Sequence, residues 1–234
     1  MRAVLAAVVV IGLPGRAVPA QAPPRYSATW RDAASVSAAG VLYLLPGALG
    51  LPNGAPSCAP CDPATIPGID RWVVRPVSSA ADAGSEVLLA GVALWTAVAG
   101  LSGEPRSQQR GNAAVFASTA SWSAASSEWL KVAVRRKRPE LYTSAATRAA
   151  ADRDNQLSFP STHATLAFAA ATSYLVVSGR EHLRHRTRNA LLLYAGAVGV
   201  GVLRVVAAKH FPTDVLAGAA LGTGVGWLVP TIHR

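Results

Sequence analysis

The sequence predicts an all-α protein, a membrane helical bundle whose reactive groups collect at one membrane face. Three observations carry that expectation. The 234 residues are 51% hydrophobic and only 15% charged, and the mean hydropathy is +0.29, too apolar for an ordinary soluble domain of this size. Five apolar stretches, roughly 84–103, 112–130, 162–178, 189–208 and 213–230, have helical rather than alternating character and end at Gly, Pro or charge. Cationic and imidazole side chains recur at fixed intervals where these stretches end, and charged groups in apolar surroundings are expensive and tend to be functional. A net charge of +10 raises nucleic acid as a partner. The basic residues, however, fall in two clusters between apolar runs rather than along a polar, aromatic-bearing domain, which excludes nucleic acid.

The chain opens on "MRAVLAAVVVIGLPGRAVPAQAPP". One early arginine, an apolar run from Ala3 to Leu13 and small residues at Val18/Ala20 or Ala20/Ala22 make residues 1–22 a signal peptide. The alternative is an uncleaved N-terminal membrane anchor, although the apolar core is short for a span. Residues 23–83 form an N-terminal exported segment. Within it, Ala33 to Leu51 is apolar but broken by Pro46 and Gly47. After cleavage of a signal this run cannot cross the membrane once, so it lies at the surface, re-enters or packs on the domain.

The only two cysteines follow, in "SCAPCD". Nothing nearby resembles a βαβ redox unit, and neither a second pair nor a histidine completes a zinc site. A local disulfide between Cys58 and Cys61 is the expectation for an oxidising compartment. Closing so short a loop contributes about 2 kcal/mol at most, and pins a loop without carrying chemistry. Residues 84–234 are the helical domain, with no internal repeat. Small residues, as in "AVFASTASWSAASS" and "YAGAVGVGV", let helix backbones approach closely in lipid.

Three motifs mark the helix ends. "KVAVRRKRP" (Lys131 to Pro139) ends the second stretch, "FPSTH" (Phe159 to His163) opens the third, and "RVVAAKHFPTD" (Arg204 to Asp214) joins the fourth and fifth. Consecutive helices alternate direction, so these ends share one membrane face. One pocket therefore collects Lys131, Arg138, Ser161, His163, Arg204, His210 and Asp214. Arg135, Arg136 and Lys137 read as snorkelling anchors, and His182, His185 and His233 as structural. Carboxylates on this face are too sparse for a two-metal site, so no metal or other cofactor is expected.

In their spacing and order, Lys-x6-Arg-Pro, Pro-Ser-x-His and Arg-x5-His-x3-Asp, these motifs resemble the signature of the type 2 phosphatidic acid phosphatase superfamily. That superfamily includes membrane lipid phosphatases, soluble acid phosphatases and vanadium haloperoxidases. The resemblance covers about residues 84 to 230. It implies catalytic roles for His210, His163 and Asp214, and phosphate binding by Lys131, Arg138, Ser161, Thr162 and Arg204. Two positions depart from the pattern. Leu203 stands where the family has a serine before the arginine, which removes a hydroxyl from the phosphate site. Thr162 stands where the family has glycine, which adds a side chain and disfavours positive φ.

The residues suit that chemistry. Phosphoryl transfer spreads negative charge over the equatorial oxygens, so catalysis is mainly positioning and electrostatic stabilisation, and Lys131, Arg138 and Arg204 supply the cations. The backbone N–H groups of Ser161 and Thr162 at a helix N-terminus form an anion site. His210 is the expected nucleophile, with Asp214 accepting the far imidazole N–H and fixing the tautomer. His163 is the expected acid for the leaving oxygen and base for water.

These expectations define a phosphatase acting on a phosphorylated lipid from the outer side of the cytoplasmic membrane. With the motifs outside, "GREHLRHRTR" and its four arginines lie in the cytoplasm, as the positive-inside rule asks. A soluble exported acid phosphatase and an inactive phospholipid-binding scaffold are the alternatives. A haloperoxidase would need bound vanadate.

Overall fold

The computed structural model describes residues 25–233, and the predicted signal peptide lies outside them. All regular structure among the described residues is helical. Helix α1 is Trp30–Ala48, and a short helix α2, Gly68–Arg71, follows within a long connection. Two long helices come next, α3 (Ser79–Leu101) and α4 (Arg106–Val134). The short α5 (Ala146–Ala149) precedes α6 (Thr162–Arg180), α7 (Arg186–Val206) and α8 (Pro212–Ile232).

Helix α6 is the axis of the bundle, and α3, α4, α7 and α8 surround it. Ala167, Ala171 and Tyr174 on its inner faces join Val92 of α3 and Leu193, Ala197 and Val200 of α7 in the main core. Against α8 the packing is closer, because Gly218, Gly222 and Gly226 recur every four residues and form one stripe. A Cβ at Gly218 would stand 2.5 Å from the Ser161 carbonyl oxygen, and one at Gly226 would stand 2.6 Å from that of Ala169. Glycine is what lets the two backbones touch.

Three of the helices, α3, α7 and α8, are long and apolar enough to cross a membrane. At 1.5 Å per residue, 21 residues reach about 31 Å, matching a hydrocarbon core of about 30 Å. Their outer faces expose Val87, Leu94, Leu191, Val202, Leu216 and Leu228. All five apolar stretches are helices, and α4 and α6 are the two outside the three that are apolar enough to cross. The central α6 turns its residues to other helices rather than to lipid. On α4 the inward face carries Asn112, Ser118, Thr119, Ser123 and Ser127, while α1 covers Trp122 and Trp129 by accepting their indole N–H groups at Ser35 Oγ and the Leu42 carbonyl, both at 2.9 Å.

Those two bonds also give the direction of α1. Ser35 meets Trp122 and Leu42 meets Trp129, so α1 runs parallel to α4. It starts where α6 and α8 end: the Arg25 N–H donates to Glu181, and Asp32 pairs with His233. Its C-terminal end reaches the motif end of the bundle, where Gly47 approaches Arg153. The run through Pro46 and Gly47 is thus one helix along the length of the bundle, not a broken segment. Pro46 falls in its last turn, and the Leu42 carbonyl that its missing N–H would have engaged accepts the Trp129 indole N–H instead.

The connection from Leu49 to Ser78 docks on the motif end. Cys58 and Cys61 are joined by a disulfide, and the Cys61 N–H donates to the Leu141 carbonyl at 2.8 Å. Ile66 and Val73 bury themselves against Ala208 and Phe211 of the turn between α7 and α8.

Candidate active site

That turn builds the centre of the site. After α7 the backbone reverses through Ala208, buried and in the left-handed region at φ 56, a conformation costing a non-glycine residue about 1–2 kcal/mol. Its surroundings hold it, and the reversal drives His210 inward to 1% exposure. Pro212 then opens α8 with its fixed φ, where no N–H is required.

The structure brings all eight predicted site residues to one end of the bundle. A cavity of about 450 Å³ is lined by Lys131, Arg138, Thr162, His163, Arg204 and His210, together with Glu86 and Asp154. Lys131 occupies the last turn of α4 and Arg204 the last turn of α7. Both are nearly buried, as is Arg138. The Nε atoms of Arg138 and Arg204 and the Oγ of Ser161 have no hydrogen-bond partner among the described residues. Buried donors of this kind are costly unless something accepts from them.

Several expectations are corrected in detail. His210 Nδ1 lies 2.8 Å from the Ser158 carbonyl oxygen, whereas Asp214 Oδ2 is 3.7 Å away. A carbonyl only accepts, so Nδ1 carries the proton and Nε2 keeps its lone pair. Burial pushes the imidazole down to about 3, which favours its neutral form. Asp214 is turned away because it caps its own helix, accepting from the Phe211 N–H at 2.9 Å, and it takes the Ser158 hydroxyl at 2.6 Å. Ser158 therefore bridges the pair.

Arg136 is not a snorkelling anchor. Its guanidinium bonds Asp70 at 2.7 Å and Asp214 at 2.6 Å, and lies over the Phe211 ring at 4.3 Å. Arg135 stays exposed, as expected. Ser161 gives its backbone N–H to the Asp214 carbonyl at 3.0 Å, so that donor is not available to an anion. Thr162 begins α6 with ordinary helical backbone rather than positive φ, and its hydroxyl pairs with Ser127 at 2.9 Å.

Helix α3 contributes residues that the motifs do not contain. Asp82 pairs with the Arg204 guanidinium, which also donates to Ser85 Oγ at 3.0 Å. Glu86, one turn on, places Oε1 2.7 Å from His163 Nε2. A carboxylate there puts the proton on Nε2. In sequence, Asp82 and Glu86 look like ordinary acidic residues near a helix N-terminus, and no local signal announces their partners.

The chain is 34% identical over 103 residues to decaprenylphosphoryl-5-phosphoribose phosphatase of Mycobacterium tuberculosis, in strains CDC 1551 / Oshkosh and ATCC 25618 / H37Rv alike. That segment is 44% of this chain and 51% of each relative. The chain thus matches about half the length of these curated relatives. No solved structure matches significantly. The PAP2 superfamily profile matches residues 112–234, which contain all three motifs, helices α6, α7 and α8, and most of α4. The chain belongs to the PAP2 superfamily.

Proposed function

We propose that this protein is a metal-independent phosphatase that hydrolyses a phosphorylated lipid through a phosphohistidine intermediate. The observation that carries the reading is the convergence of Lys131, Arg138, Arg204, His163 and His210 on one cavity, with two guanidinium Nε donors unpartnered. Three cations match a phosphate group and the charge that develops on it. His210 Nε2 attacks phosphorus while the bond to the leaving oxygen breaks, and His163, an imidazolium beside the Glu86 carboxylate, passes its Nε2 proton to that oxygen and is left neutral. His163 then takes a proton from water, whose oxygen attacks phosphorus and releases His210 and inorganic phosphate.

The lipid character of the substrate is supported by the apolar outer faces of α3, α7 and α8 and by Leu44, Leu89 and Leu166 beside the phosphate ligands. The relatives' decaprenylphosphoryl-5-phosphoribose is one lipid of this class. We place the site on the extracytoplasmic side, since Arg106, Arg110, Arg180, Arg184, Arg186 and Arg188 gather at the opposite end.

The test separates the two histidines. On an alkyl phosphate, His163→Ala slows turnover about 10²–10⁴-fold. On nitrophenyl phosphate the leaving group needs little protonation, so phosphoenzyme forms in a burst and accumulates. His210→Ala is inactive on both and traps no acid-labile phosphate. Substantial activity in His210→Ala refutes the nucleophile, and equal losses for His163→Ala on both esters without a burst refute the acid.

A further inference from the structure

A fully buried carboxylate sits outside the residues that match the family. Asp70 of α2 is 0% exposed and does not line the cavity. Its Oδ2 accepts from Arg136 Nη2 at 2.7 Å and from the Thr213 hydroxyl at 2.6 Å, and its Oδ1 accepts from the Thr213 N–H at 3.2 Å. From Arg136 the connection continues: Nη1 donates to Asp214 Oδ1 at 2.6 Å. Asp214 holds the Ser158 hydroxyl, and the Ser158 carbonyl holds His210 Nδ1.

Desolvating a carboxylate this completely is unfavourable unless its partners are fixed. Here they are fixed on both sides. Thr213 belongs to the first turn of α8, next to Asp214, and Arg136 is stacked on Phe211, two residues before Thr213. With Asp70 neutral, Arg136 Nη2 loses its charged partner, and the arginine is held inward by Nη1 alone, which donates to Thr213 Oγ1 and to Asp214 Oδ1 at 2.6 Å each. The cation that sets the orientation of Asp214 is then less firmly placed.

We propose that Asp70 and Arg136 are positioning residues for the catalytic pair. The N-terminal segment thereby supplies the outermost member of a relay, Asp70–Arg136–Asp214–Ser158–His210. It aims Nε2 at phosphorus and keeps a carboxylate in place to balance the positive charge that the imidazole acquires on phosphorylation. The inference rests on the reading of His210 as nucleophile.

A double-mutant cycle on the purified full chain tests it, with nitrophenyl phosphate as probe. Asp70→Asn keeps the side-chain shape and removes the charge. In the wild-type background it lowers kcat about tenfold and leaves KM within about twofold, because Lys131, Arg138 and Arg204 do not touch it. In an Asp214→Asn background the same change costs less than about twofold, since its route to His210 is already broken. A purely structural role predicts equal losses in both backgrounds. If Asp70→Asn does not yield monodisperse protein, Thr213→Val removes one hydroxyl between Asp70 and Arg136 and follows the same cycle. Equal losses in the two backgrounds, an effect on KM alone, or unchanged kcat overturns the proposal. Wild-type kcat in Asp214→Asn alone refutes the underlying catalytic reading instead.

Discussion

Replacing Gly222 by alanine is the sharpest test of how the bundle holds its site. The new Cβ would lie inside the envelope of the Thr165 carbonyl oxygen, 2.9 Å from the Thr165 carbonyl carbon and 3.0 Å from the Ala169 nitrogen. Ordinary contact begins near 3.4 Å, and every obstructing atom is backbone, so no side chain can swing aside. To clear the Thr165 carbonyl oxygen, helix α8 must recede from α6 there by about an ångström. Overpacking of this kind costs about 1–3 kcal/mol, which for a chain of this size lowers Tm by about 2–10 °C.

The displacement also reaches the chemistry. The Ser161 N–H is bonded to the Asp214 carbonyl, joining the starts of α6 and α8, so retreat of α8 shifts Asp214 and His210 against His163. A misplacement of 1 Å costs about 10²-fold in rate, and a smaller one predicts a loss near tenfold in kcat. Gly224→Ala is the control: its Cβ meets nothing within 4 Å, and alanine in a helix gains up to about 1 kcal/mol over glycine. Thermal unfolding in detergent, with kcat on nitrophenyl phosphate, measures both. If Gly222→Ala melts and turns over like Gly224→Ala, the close α6–α8 contact is not what positions the site.

Two further outcomes follow from the same coordinates. Glu86→Gln keeps the shape beside His163 and deletes the carboxylate bonded to it, leaving the imidazole to face Arg204 and Lys131. The proton that His163 donates is then held less well, so the alkaline fall of kcat/KM on an alkyl ester moves to lower pH; an unmoved limb means that His163 is not the acid. With the site outward, Ser144 and Ser107, both exposed and at opposite ends of the bundle, fall on opposite sides of the membrane. Single cysteines there should differ in reaction with an impermeant maleimide, Ser144→Cys in intact cells and Ser107→Cys only after permeabilisation, and the reverse order would invert the topology.

The helices that position the motifs were legible because their signals are local. Pro212 and the apolar run after it set α8, and the "PSTH" junction set the start of α6. Helix α4 extends past both ends of its apolar stretch, because the polar first turn from Arg106 to Arg110 is helical without being hydrophobic. The membership of the site was legible from spacing, but its bonding was not. Ser158 acts through a backbone carbonyl as well as its hydroxyl, and a motif does not register a carbonyl. Asp70 reaches Arg136 across 66 residues and Asp82 reaches Arg204 across 122. Arg136 sits among four consecutive basic residues; the motif marks Arg138, but only tertiary packing marks Arg136 as the one that meets Asp70 and Asp214.

The two departures from the family pattern now have physical accounts, and they bear on whether the site is a decayed one. Thr162 meets no backbone penalty, because the position is the first residue of a right-handed helix, and its hydroxyl is engaged by Ser127 of α4. Leu203 points its Cδ1 toward Gly84 of α3, close enough that a Cβ at Gly84 would meet it at 3.7 Å. On that same helix, one residue beyond Gly84, Ser85 presents the hydroxyl that bonds Arg204. Ser85 of α3 thus gives the arginine a hydroxyl partner, and the leucine at 203, which brings no hydroxyl to an anion, supplies apolar contact with α3 instead. Arg204 remains buried between a carboxylate and a hydroxyl with Nε unpartnered. The cationic pocket beside Leu203 and Thr162 therefore holds the groups that phosphoryl transfer requires.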